Sequence, residues 1–338
     1  MIKTFISVGE NIHCTRKYKV GGKQVEALPG GKHGIPFKVG GKTRHIPVPR
    51  HFCDGAEWKD GHVRHCAVAI WQGVYGKGED KQAGIDYIKF LARAEEKAGA
   101  TYLDINVDEF STDVEERVKL IKWTAAVVQE ASPLPLSIDS SNTDILRAGL
   151  GACDRARPAP MLNSVSLERI AALDLMTEFN AVAIVSAAGE ADLPCTTEGR
   201  LANLDRITAK LRAVRVTDER IHFDPLVFPM STDPSNGKLF LEAVTAIRKT
   251  YGARIHMAAG LSNISFGMPN RKLLNQVFTF LSVEAGGDGG IVDPLQINKD
   301  ILNSLDVKSE PFKLARAALL GEDEFGMNYI TACREGII

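Results

Sequence analysis

The chain has 338 residues, of which 44% are hydrophobic and 25% charged, with a formal net charge of -1. That is apolar material for one barrel-sized core or two smaller ones, and the balanced charge gives no global field to select nucleic acid or an anionic membrane. The opening MIKTFISVGENIH is too short and polar for a secretory signal, and no apolar run approaches bilayer-spanning length.

In chain order, short apolar runs read as strands at 4–8, 102–107, 134–138, 160–163, 181–186, 220–224, 254–259 and 289–292. Helical spacing occupies 81–98, 113–131, 199–215 and 237–250, with Ser111 or Asp113 and Ser235 or Asn236 as N-cap candidates. The strands lack polar–apolar alternation, as expected of parallel strands buried on both faces. Eight strands with helical crossovers predict a (β/α)8 TIM barrel in one domain, 1–338; periodicity alone leaves a doubly wound open sheet as the competitor. The tail after 307 again has helical apolar spacing. Six cysteines without close pairing or a CxxC read as reduced thiols of a cytoplasmic protein.

Residues 13–80 break the rhythm, because a βα loop is normally a handful of residues. KVGGK occurs at Lys19–Lys23 and again at Lys38–Lys42, and Pro29, Pro36, Pro47 and Pro49 punctuate the segment. From Arg16 to Arg50 there are nine basic residues and one acid, Glu26. The expectation is β-hairpins or ordered loop rather than helix, inserted in the first βα loop. Six of the eight histidines (His13, His33, His45, His51, His62, His65) lie here. Cys53, His62, His65 and Cys66 invite a zinc reading, but the adjacent His65 and Cys66 and the long first gap do not match paired ligand spacing. No metal is expected.

The strand ends carry the chemistry. Asp104 and Asn106 end the second strand, Asp139 and Asn142 follow the third, Asn163 ends the fourth, Asp224 ends the sixth and Asn263 follows the seventh. In a barrel these ends converge on the face where active sites lie. Asp and Asn after strands also serve as turn formers and helix caps. Five strand ends doing so together suit a ligand with paired N–H donors and ring acceptors, such as a pterin, which carboxylates and amides match.

On these residues the sequence resembles the pterin-binding methyltransferase family, which includes methyltetrahydrofolate:corrinoid protein methyltransferases and the folate domain of cobalamin-dependent methionine synthase. The motifs are VGENI (8–12), LDINV (103–107), SIDSSN (137–142), LNSVS (162–166), FDPLVFP (223–229) and GLSNISFGMPNR (260–271). The resemblance spans about 1–12 and 81–300. It implies that Asp139, Asn163 and Asp224 bond the pterin ring and that Asn263 meets N5, the nitrogen that carries the methyl group. Glu10, Asn11, Asp104 and Asn106 would support the pocket floor, Asn142 would lie beside it, and Ser262 and Arg271 would lie behind it. The implied cofactor is tetrahydrofolate or 5-methyltetrahydrofolate, with a corrinoid carried by a separate protein and a homodimeric assembly.

Two departures narrow this. The glycine-rich, Arg-containing segment that follows the second strand in dihydropteroate synthases is replaced by DEFSTD. DGHVRH at 60–65 has His65 where the cobalamin signature DxHxxG needs glycine, so the chain itself should not hold cobalamin. Three readings stand: methyl exchange between tetrahydrofolate and a corrinoid protein, direct demethylation of a small substrate onto tetrahydrofolate, and non-catalytic folate binding.

Overall fold

A computed structural model describes residues 1–338. Its main sheet is built from β1 (Ile6–His13), β2 (Tyr102–Asn106), β3 (Leu136–Asp139), β4 (Met161–Val165), β5 (Val182–Ser186), β6 (Ile221–Asp224), β7 (His256–Met257), β8 (Ala259–Gly260) and β9 (Gly289–Val292). The strand order is β7-β6-β5-β4-β3-β2-β1-β9-β8. β7 and β8 are halves of one strand broken at Ala258; β7 pairs in parallel with β6, and β8 in parallel with β9. The two ends of the sheet are therefore consecutive in the chain. This is a barrel of parallel strands with helices between them, the class expected, and the open sheet is excluded.

The helices of seven residues or more are α1 (His65–Tyr75), α2 (Gly78–Lys97), α3 (Val114–Ala131), α4 (Thr143–Gly151), α5 (Ala172–Glu178), α6 (Thr197–Ala213), α7 (Asn236–Tyr251), α8 (Arg271–Glu284), α9 (Glu310–Leu319) and α10 (Met327–Arg334). Asp113 caps α3 by accepting from the Glu115 N–H at 2.9 Å. Ser235 occupies the N-cap of α7 without a side-chain cap bond, and Asn236 instead donates to the Pro229 carbonyl at 2.9 Å. No helix is long and apolar enough to cross a membrane. All six cysteines are free thiols.

Two compact units divide the chain. The first comprises Met1–Gly9, Ala98–Tyr102 and Met161–Ile338. Its centre is Val8, Met161, Ile184 and Ala258, packed by Tyr102, Val182 and Ile291. Each such aliphatic side chain, once fully buried, contributes about 1.5–3 kcal/mol. Gly289 is needed where β9 runs close: a Cβ there would sit 2.7 Å from the Ile6 carbonyl and 2.9 Å from that of Met257.

The second unit comprises Glu10–Lys97 and Leu103–Pro160. β2 and β3 pair in parallel from Leu103↔Leu136 to Asn106↔Asp139, which sets the two strand-end polar residues side by side. The inserted segment follows β1. Strand 17–19 pairs antiparallel with 62–64, and strands 26–28, 32–39 and 42–47 form a meander. The second KVGGK is its hairpin turn: Val39 pairs with Lys42, and Gly40 and Gly41 take φ of 57° and 79°, the paired left-handed conformation of a two-residue I′ turn.

One expectation for this segment is corrected. Residues 65–75 are a helix, α1, with shorter turns at Arg50–Cys53 and Ala56–Lys59 before it, and α2 begins at Gly78 rather than 81. The reason is burial. α1 (HCAVAIWQGVY) is buried over most of its surface, so it has no polar stripe and gives no amphipathic period to read.

Candidate active site

In the second unit, β1, β2 and β3 deliver four side chains to one place. His13 Nε2 and Asp104 Oδ2 share a hydrogen bond of 2.8 Å, and the Asn106 amide donates to Asp139 Oδ2 at 2.9 Å. Ligand atoms of His13, Asp104 and Asp139 all lie within 4.8 Å of one another. His13 and Asp104 are buried. Burial alone would lower the His13 pKa, but the hydrogen bond and charge of Asp104, with Asp139 and Glu10 beyond, outweigh it and raise it to about 9. Asp139 moves up to about 7, because burial and the Asp104 charge exceed the opposing pull of His13 and of the Asn106 hydrogen bond.

That spacing is tight enough for a divalent ion. However, His13 Nε2 and Asp139 Oδ2 are already engaged in hydrogen bonds, and the set reads as a proton-sharing network. The residues of the zinc reading do not converge: His65 Nδ1 faces the Tyr87 hydroxyl at 2.9 Å with Tyr18 stacked on its ring, while His62 is exposed.

Neighbouring groups hold these strand ends still. Asn106 Oδ1 accepts from the Asp108 N–H, and Asp108 accepts from the Ser140 hydroxyl at 2.6 Å and from the Ser141 N–H at 2.8 Å. Arg16 grips Glu10 twice, at the carboxylate (2.6 Å) and the backbone carbonyl (2.8 Å). The Asn11 N–H donates to buried Glu95 at 2.8 Å. Asn142 spends its side-chain oxygen capping α4 through the Asp144 and Ile145 N–H groups. This is the structural use that Asp and Asn after strands commonly serve.

In the first unit, Asn163 lies in β4 and is 8% exposed. Asp224 ends β6, where its Oδ1 accepts from the Leu226 N–H at 2.9 Å. Burial raises its carboxyl to about 6, against the lowering effect of that bond and of Arg200. Asn263 is half-buried in the short 3-10 segment Leu261–Ser265. The Met230 N–H donates to the Ile264 carbonyl at 3.0 Å, and the Ser231 hydroxyl to the Phe266 carbonyl at 2.6 Å. These bonds tie the loop that follows Asp224 to the turn that carries Asn263. Arg271 donates to the Ser262 carbonyl at 2.9 Å and to the Ser265 hydroxyl at 3.0 Å, with its guanidinium 4.4 Å from the Phe266 ring centre. Ser262 and Arg271 thus brace the turn.

Three positioning groups escaped the sequence reading. Arg200, 1% exposed, donates to the carbonyls of Leu239 (3.2 Å) and Leu226 (3.3 Å) beneath Asp224. Its helix, TEGRLANL, gives no sign of this. His13 directly follows VGENI and adjoins a buried aspartate 91 residues away in sequence. Asp108 carries no signal beyond its place after LDINV.

Chemically, Asp139 and Asp224 are half-buried carboxylates, and accepting hydrogen bonds from ligand N–H groups offsets the cost of their desolvation. Residues 79–293 match the model of a family described as pterin binding enzyme. A methylcorrinoid:tetrahydrofolate methyltransferase of Eubacterium limosum is 33% identical over 257 residues, 75% of this chain and 89% of that protein. Two dihydropteroate synthases share the fold. One from Xanthomonas albilineans, in complex with 7,8-dihydropteroate, aligns with TM-score 0.53 at 17% identity over 68% of this chain and 86% of its own. One from Vibrio fischeri aligns with TM-score 0.53 at 14% identity over 70% and 86%.

Proposed function

Since the chain belongs to the pterin-binding enzyme family, we propose that it is a tetrahydrofolate-dependent methyltransferase that exchanges methyl between N5 and a corrinoid on a separate protein. The observation that carries the reading is the pair of half-buried strand-end carboxylates, Asp139 and Asp224, each raised in pKa by desolvation. The E. limosum relative, which by its name moves methyl between the same two carriers, supports the choice of reaction.

Asp139, Asn163 and Asp224 hold the pterin ring, and Asn263 lies at N5. Asp104 and Asn106 act through their neighbours, as do Glu10, Asn11, Ser262 and Arg271. Asn142 retains only its amide NH2 for a ligand. The corrinoid supplies a cobalt able to hold and release methyl. A nitrogen that loses methyl must gain a proton, and one that receives it must shed one. Asn263 can serve both states by turning either its carbonyl oxygen or its amide NH2 toward N5. No single acid dominates; the proton passes through water or an extended network.

The chain acts as one domain whose segment 13–80 covers the reacting face. Support comes from Cys14, whose N–H donates to the Asn106 carbonyl at 2.9 Å, and from Arg64, which pairs with Glu109 at 2.8 Å just beyond β2. The basic residues of this flap meet the glutamate tail of folate or the corrinoid protein. The protein works in the cytoplasm as a homodimer, which light scattering on purified protein will check.

The test mixes purified protein and tetrahydrofolate with either a methylated corrinoid, free or protein-bound, or a panel of small methyl donors. Methyltetrahydrofolate formed with the corrinoid supports the proposal. Formation only with a small donor would instead make it a corrinoid-independent demethylase, and binding without turnover in either direction would leave a folate-binding protein.

A further inference from the structure

We infer that His13 is a positioning residue for folate: bonded to Asp104 and within 4.8 Å of Asp139, its ring favours the ionised Asp139 that the paired N–H groups of a pterin require. The inference rests on the pterin-binding reading above and adds to it the group that sets its charge state.

The two carboxylates are crowded. Asp104 and Asp139 end adjacent parallel strands, and each has a carboxylate oxygen in the cluster bounded by 4.8 Å. Two carboxylates this close and largely withdrawn from water do not both stay ionised unless a cation lies beside them, because lowered dielectric magnifies their repulsion. His13 enters from β1, 8% exposed, and bonds Asp104 at 2.8 Å.

The remaining groups that face the pair do not substitute for it. Asn106, from β2, is neutral and donates one hydrogen bond to Asp139. Asp108, from the loop after β2, is a further anion that pushes the Asp139 pKa upward. Arg117 lies 3.7 Å from Asp108, and Arg16 is engaged with Glu10. His13 is thus the cation placed against both carboxylates. Its own charge is secured by Asp104 in return, since their bond and attraction raise its pKa to about 9.

One substitution should move folate binding along the pH axis. His13→Asn keeps a polar side chain and removes the charge; Asp139 then takes up a proton more readily, and the pH below which folate is lost moves upward. The measurement is titration calorimetry of 5-methyltetrahydrofolate binding to each purified, folded protein between about pH 5 and pH 10. We expect His13→Asn to bind roughly tenfold or more weakly than wild type at neutral pH, one pKa unit being a tenfold change. It should recover toward wild-type affinity in alkali.

A purely structural role for His13 would lower affinity equally at every pH, and that result overturns the inference. So does a pH limb in His13→Asn that coincides with that of wild type. If wild type fails to bind 5-methyltetrahydrofolate at any pH, the pterin-binding reading itself falls, an outcome distinct from the others.

Discussion

Asp139, Asp224 and Asn263 are the residues on which the chemistry is proposed to turn, and they are asked for different things. The aspartates must hold a ring, so their effect should appear in binding. Asn263 must follow a proton at N5, so its effect should appear in turnover. Asn263→Ala should lower methyl transfer by about 10²-fold, the low end for groups acting on proton transfer. Folate affinity should change by less than about tenfold, and equal losses in both would contradict the role. Asp139 also carries a cost. Its folded pKa, raised from 3.8 to about 7, means that even with His13 beside it the carboxyl is harder to ionise in the fold than in the unfolded chain. The associated stability is present below the unfolded value and is lost as pH rises through about 7. Asp139→Asn should therefore raise the melting temperature of the ligand-free protein at pH about 8 by roughly 2–4 °C, with a smaller gain in acid where the native carboxyl is already protonated. Calorimetry at the two pH values checks this. Folate affinity of the same variant should fall about a hundredfold, the worth of two hydrogen bonds to a charged group.

Among the elements, α1 and α2 show how close packing stands in for amphipathic pattern. A Cβ at Gly84 would press on the Ala69 carbonyl and lie 2.6 Å from the Gly73 nitrogen, while one at Gly73 would meet the Trp123 ring of α3. Gly84 lets α1 and α2 touch backbone to backbone, and Gly73 makes room for the Trp123 side chain. Gly84→Ala should cost about 1–3 kcal/mol by overpacking, even though alanine is the better helix former; an unchanged urea midpoint would show that the contact yields. This pair also marks where the sequence was legible and where it was not. The strands were readable because each is a short apolar run between turn signals, and the seventh, read as 254–259, differs only in breaking at Ala258 to serve β6 on one side and β9 on the other. α1 was not readable, being buried without a polar stripe. The strand-end carboxylates and amides could be found from their positions alone. Arg200 and His13 could not, because what makes them matter is a partner distant in sequence, Leu226 and Leu239 for one and Asp104 for the other.

At the scale of the whole molecule, a barrel of parallel strands supplies the frame, and the segment 13–80 lies almost wholly outside residues 79–293 that match the family. The family is one of pterin-binding enzymes, and the half-buried aspartates fit that ligand; the exchange of methyl with a corrinoid is the step proposed beyond it. Reduced cobalamin and methylated cobalamin absorb differently, so the exchange can be followed directly. The deciding measurement is the absorbance of a reduced corrinoid mixed with 5-methyltetrahydrofolate, with and without this protein, under strictly anaerobic conditions. The account predicts conversion to methylcorrinoid and release of tetrahydrofolate that depend on the protein and are nearly abolished in Asn263→Ala. Folate bound normally, with no change in the corrinoid spectrum in either direction, would contradict it.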